Sequence, residues 1–280
     1  MVTYKKYGET FKKLRKQRGF KLTNFEHLGV SSSALCKFER GISLLKFDKL
    51  VLVLGELSVT LAEYEKCLND YSLDTHEFLI QRVIIAIVSN RMNDLPELYK
   101  EAMNLREVQL GIAIKGMYSK LTSDEKDLVI DYLERITFWR YTDLYTFHLS
   151  LNWLELSQIS FIIEGVFLYN SEVFNSLEHR NRVTHIICYA SMIYASKGYA
   201  SVSQQLLGYV QAEDYKHTMF TQNIVNFFTG FWESEYGEKE KGIQSMKGAL
   251  NIFDSLSFPG VSDYYKRLYE KYSVSKCRMS

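Results

Sequence analysis

Within ten residues the chain gathers Ser31, Ser32, Ser33, Cys36, Lys37 and Arg40, three hydroxyls, a thiol and two cations. Hydroxyls and cations at this density suit hydrogen bonding to phosphate oxygens and base edges. Just upstream, Lys12, Lys13, Arg15 and Lys16 add four more positive charges. The first 50 residues hold twelve Lys/Arg against four acids, or +8, and the remainder carries −7, so the whole-chain net charge of +1 conceals a basic module. Concentrated basic charge of that size is an electrostatic footprint for nucleic acid. Catalytic signatures are missing: the sequence has no HExxH, no Walker A loop, no GxGxxG and no GxSxG. A binding protein without cofactor or metal is therefore expected, not an enzyme.

A second set of residues points to a different ligand. Tyr141, Tyr145, His148 and Asn152 fall at i, i+4, i+7 and i+11, a mixed aromatic and polar stripe unlike a plain core face. Further on, Phe220, Ile224, Phe227 and Phe231 form a core-like stripe, beside a second one of Met219, Asn223, Asn226 and Gly230. An amide both donates and accepts, so asparagines can hold the backbone of an extended peptide whatever its side chains are. Tyr145, His148, Asn152, Asn223 and Asn226 are on this basis the candidate lining of a peptide groove. The competing readings are that the asparagines tie neighbouring helices together and that His148 is an ordinary partly buried histidine.

The elements that must position these residues are helical throughout. Two prolines in 280 residues leave few helix breaks, and no alternating strand pattern interrupts the 3.6-residue periodicity. In the first 68 residues five short helices are expected. Tyr7, Phe11 and Leu14 mark the first, which Gly19 stops; Leu22 to Leu28 is the second; Ser31 caps the third, Ser32 to Glu39. Phe47, Leu50, Val51 and Leu54 mark the fourth, and Thr60 to Glu63 form a capping box for the fifth. Beyond Tyr71 helix follows helix, with another capping box at Thr122 to Glu125. Gly198 and Gly237 lie 39 residues apart, each after an aromatic-rich helix, which is the period of a tetratricopeptide-like helix pair. Stacked pairs create a concave surface suited to an extended ligand. The longest apolar run, Val83 to Val88, is far short of a membrane span, the N-terminus lacks a signal-peptide pattern, and Cys36, Cys67, Cys188 and Cys277 form no CxxC pair. A cytoplasmic protein is expected.

LRKQRG (14–19), GVSSSALCKFERG (29–41) and FDKL (47–50) together resemble the repressor-type, or XRE-type, helix-turn-helix. The resemblance implies that Arg15 pairs with Glu39 in a structural role, that Ser31 caps the recognition helix, that Ser32, Ser33 and Lys37 reach base edges or the groove, and that Arg40 meets phosphate. The second helix and its turn are a residue shorter than the usual pattern, without its small alanine and helix-opening glutamine. With DYLERITFWRYTDLYTF (131–147), the order of parts resembles the Rgg/MutR family of Gram-positive regulators. That resemblance implies a homodimer on double-stranded promoter DNA whose repeat domain binds a short signal peptide. The expected architecture is an all-α chain, with a helix-turn-helix domain over 1–68 and a helical-repeat dimerisation and peptide-sensing domain over 69–280. An XRE-type dimer or antitoxin-like module without a peptide ligand is the alternative.

Overall fold

Phe11 is the anchor of the N-terminal helix, and the structure, a computed structural model describing residues 5–169, 175–212, 217–256 and 260–273, buries it completely. Every element among the described residues is a helix, and the chain divides into two units, Met1–Thr75 and His76–Ser280. Cys277 lies outside the described residues.

The first unit contains α1 (Lys5–Gln17), a 3-10 helix (Leu22–Leu28), α2 (Ser32–Glu39), α3 (Phe47–Glu56) and α4 (Leu61–Leu68). The rings of Phe25 and Phe38 pack on Phe11 with centroids 5.9 and 5.7 Å away, and Leu35, Val53 and Leu54 complete the core. α1 approaches α2 so closely at Gly8 that a Cβ there would lie 1.8 Å from the Phe38 carbonyl oxygen. The second of the five expected helices is a 3-10 turn series, in keeping with its short length and with Gly29, whose left-handed φ of 68° ends it. On α3 the buried face runs through Val53 and Leu54 to Leu57, which leaves Phe47 69% exposed at the start of the helix. Thr60 and Glu63 form the reciprocal cap expected of α4.

In the second unit come α5 (Thr75–Val88), α6 (Leu95–Asn104), α7 (Val108–Lys115), α8 (Ser123–Arg135), α9 (Tyr141–Ser150), α10 (Leu156–Tyr169), α11 (Leu177–Ser196), α12 (Ala200–Gln211), α13 (Met219–Tyr236), α14 (Lys239–Ser255) and α15 (Val261–Tyr272). Thr122 and Glu125 cap α8 reciprocally. The motif over 131–147 is the joint between α8 and α9: Arg140 reaches Glu107 at 3.0 Å and Asp143 at 2.8 Å, and the Tyr132 hydroxyl donates to the same Asp143 oxygen at 2.6 Å. Trp139 is buried there against Phe147. The 39-residue spacing corresponds to two successive hairpins, α11 with α12 and α13 with α14. Most of the apolar side chains of α8 to α15 form one core, and a smaller core lies among α5, α6, α7 and α9. α9 belongs to both, which is why almost all its residues are buried.

Candidate functional site

In the first unit Ser31 starts α2 by accepting a hydrogen bond from the Ala34 amide at 3.2 Å. Leu35 and Phe38 turn into the core, which forces Ser33, Lys37 and Arg40, at i, i+4 and i+7, onto one exposed face. Ser32 is half-buried and its hydroxyl donates to Glu26 Oε1 at 2.6 Å; Cys36 is a half-buried free thiol. On α1, Lys13 and Lys16 are exposed and Lys12 is half-buried. Arg15 faces the opposite way. It is 8% exposed, its Nε and Nη2 both donate to Glu39, the latter at 2.9 Å, and its Nη1 donates to the Phe20 carbonyl at 2.6 Å. The guanidinium is thus spent on pinning α1 to the end of α2, so Arg15 is withdrawn from the contact surface itself.

The second unit holds a cavity of about 660 Å³, open to solvent on one side, between α5, α9, α11 and α15. Of the five residues expected in a groove, Tyr145, His148 and Asn152 line it. The Asn152 amide is already occupied: its oxygen accepts from the Tyr189 hydroxyl at 2.7 Å and from Lys271 Nζ at 2.8 Å, and its nitrogen faces the Leu149 carbonyl at 3.3 Å. Asn223 and Asn226 do not line the cavity. Asn223 is buried and donates to the Ala249 carbonyl at 2.9 Å, and the exposed Asn226 accepts from Gln222 at 3.0 Å. Asn223 and Gly230 lie at the seam between α13 and α14, where a Cβ on Gly230 would meet the Gly242 carbonyl oxygen at 2.9 Å and one on Gly242 the Ser234 amide at 2.3 Å. Both asparagines thus stand outside the cavity, Asn223 answering a carbonyl of the neighbouring helix and Asn226 pairing within its own.

Three residues of α11 outside the expected groove set complete the wall, His185 among them being, like His148, expected as an ordinary partly buried histidine. On α11, Arg182 lies over the Tyr145 ring with its Cζ 3.8 Å from the centroid and donates to the Tyr145 hydroxyl. Arg182, His185 and Tyr189 all face the cavity. Their i, i+3, i+7 spacing repeats the mixed stripe of α9 and is the signal that could have found them. Burial first, and the Arg182 charge second, hold His148 and His185 neutral well below the ordinary histidine range. Burial likewise pushes the Tyr145 and Tyr189 hydroxyls up, so both remain protonated donors. Among the described residues no group of three or more His, Cys, Asp or Glu is placed to hold a metal ion, and no helix is long and apolar enough to cross a membrane.

Residues 65–267 match the family model of the C-terminal domain of the HTH-type transcriptional regulator Rgg. The chain belongs to the Rgg family of transcriptional regulators. The fold of this Rgg-family chain is also that of solved structures at low identity. The Streptococcus dysgalactiae SHP pheromone receptor Rgg2 matches with a TM-score of 0.75 and 18% identity, over 95% of this chain and 100% of that one. A protein from Listeria monocytogenes EGD-e matches at 0.78 and 17%, over 96% and 98%. PrgX in its complex with cCF10 matches at 0.67 and 13%, over 96% and 100%.

Proposed function

We propose that this Rgg-family regulator is a cytoplasmic homodimer that reads promoter DNA through residues 1–68 and is controlled by a short signal peptide held in the α5–α9–α11–α15 cavity. What carries the peptide reading is the cavity itself, within the ~300–1,000 Å³ range of ligand pockets and lined by most of the α9 stripe. The Rgg2 pheromone receptor and the PrgX/cCF10 complex, both of this fold, support it. On the DNA side, Ser33 and Lys37 read base edges, Ser31 and Ser32 set the start of the recognition helix, Cys36 borders the groove, and Arg40, Lys12, Lys13 and Lys16 meet phosphate. Pairing two headpieces by symmetry gives inverted half-sites about one helical turn apart.

The test uses the full chain and two titrations. Lys37→Ala is expected to weaken specific DNA by about 1–3 kcal/mol with little effect on random DNA, whereas Lys13→Ala weakens both alike and lowers the salt dependence. Synthetic peptides encoded by small reading frames beside the gene, titrated by fluorescence polarisation, should include one that binds and that Tyr145→Ala weakens. Intact DNA binding with no peptide bound would leave a regulator without a peptide ligand.

A further inference from the structure

The loop after α2 and the outward face of α3 carry five apolar side chains, Ile42, Leu44, Phe47, Val51 and Leu52, each between 39% and 69% exposed. The core takes the other side of the same helix, where Val53, Leu54 and Leu57 are buried. A helix that is apolar on both sides has a second surface to bury. Farther along α3, a Cβ on Gly55 would meet nothing within 4 Å, so the face is open there as well. The free area of the five side chains is on the order of 400 Å², the size at which an exposed patch marks an interaction site.

The patch is also where the first unit is least basic. Of the twelve Lys/Arg in the first 50 residues only Lys46 and Lys49 follow Gly41, and Lys49 bends back to donate to the Leu28 carbonyl at 3.0 Å. DNA phosphate has little to hold on such a face. Two copies of a segment carrying +8 repel each other elsewhere, and a face of low charge is where they can approach. Lys46 and Asp48, of opposite sign, are both exposed beside the patch, and neither is in an ion pair among the described residues.

We infer that this patch is where the first units of two copies of the chain meet across a two-fold axis when both stand on DNA. The inference rests on the reading of residues 1–68 as the DNA-binding part of a symmetric dimer, and it names the surface that sets the geometry of that dimer. A two-fold face must answer itself: apolar residues meet their own copies, and the Lys46 of each copy can meet the Asp48 of the other. Ile42 is separated from α2 by Arg40 and Gly41 alone, so pairing here fixes the distance between the two copies of α2 and with it the spacing of the half-sites. Two such faces bury on the order of 800 Å², below the ~1,200–2,000 Å² of a stable complex. Pairing through this surface alone is weak, and it counts where one DNA molecule holds both copies at high local concentration.

The test uses the full chain and an operator selected from random DNA. Fluorescence anisotropy compares one half-site, two inverted half-sites, and the same two moved apart by about half a helical turn, roughly five base pairs. Phe47→Glu and Leu52→Glu each place like charges on both sides of the contact, with circular dichroism confirming that the variants are folded. Each should bind one half-site as the parent does, bind the paired site about tenfold more weakly, and lose the parent's preference for the shorter spacing. Leu52→Glu and Leu52→Lys chains co-expressed should regain the paired-site affinity that each lacks alone, because opposite charges then face each other. An equal loss on one half-site and on two would place the patch on DNA and overturn the inference. A paired-site advantage that survives both glutamates, or a mixture no better than its components, overturns it too. If no sequence is enriched from random DNA by the parent chain, the DNA reading itself falls and the inference falls with it.

Discussion

Arg15 and Glu39 are 8% and 6% exposed, yet both are charged, so each exists in the interior only because the other is there. Removing one partner from such a pair leaves an uncompensated buried charge and costs about 3–5 kcal/mol. Glu39→Ala should lower headpiece stability by that amount in urea denaturation, whereas Lys37→Ala, on the exposed face, should change it by less than about 0.5 kcal/mol. His148 and His185 carry the opposite kind of dependence. Both are held neutral in the folded protein, but in the unfolded chain they titrate near ~6.5. Below that value the unfolded state binds more protons, so stability is full above it and falls as the pH drops. A double His148→Gln, His185→Gln variant should therefore lose stability less steeply than the parent between about pH 6.5 and pH 5. Parallel slopes would assign the acid sensitivity to other groups.

At the scale of elements, the α13–α14 hairpin shows what a one-helix pattern can and cannot convey. Asn223 and Gly230 share a face, and spacing alone cannot say whether that face meets a ligand or a neighbour. The deciding fact lies on the partner helix, where Gly242 has no side chain to keep the two backbones apart. Gly242→Ala should force them apart at a cost of about 1–3 kcal/mol, and Asn223→Ala should cost about as much by removing the buried amide's bond across to the Ala249 carbonyl. Both variants should melt earlier and, once folded, bind peptide and DNA as the parent does; a selective loss of peptide affinity in Asn223→Ala would return that residue to the ligand site. The capping boxes at Thr60 and Thr122 were legible because a cap is complete within four residues. So was α2, whose cap, buried face and closing residues are all local. α9 could be read as a mixed stripe for the same reason, but the cavity could not be read from it, because its other walls come from α5, α11 and α15 and only tertiary packing unites them. The 3-10 form of the second headpiece helix was visible only as a missing residue.

Across the whole second unit, the cavity depends on contacts between its first helix and its last. Arg267 on α15 donates to Val88 at 2.9 Å and to Ile87 at 3.3 Å, bridging 179 and 180 positions of sequence. Arg267→Ala should loosen this junction without unfolding the unit, read as faster hydrogen exchange at the end of α5 and along α15 with headpiece amides unchanged. Unchanged exchange at both places would mean that apolar packing alone holds the wall. Such distant partners also impose an order on synthesis. The first unit has its own core within the first 75 residues, so it is complete early, whereas the cavity must wait until Lys271 has left the ribosome. A premature stop anywhere between the end of the first unit and Val261 would accordingly leave α1 to α4 with their core complete and the cavity unbuilt, and limited proteolysis of such a fragment should spare the first unit alone.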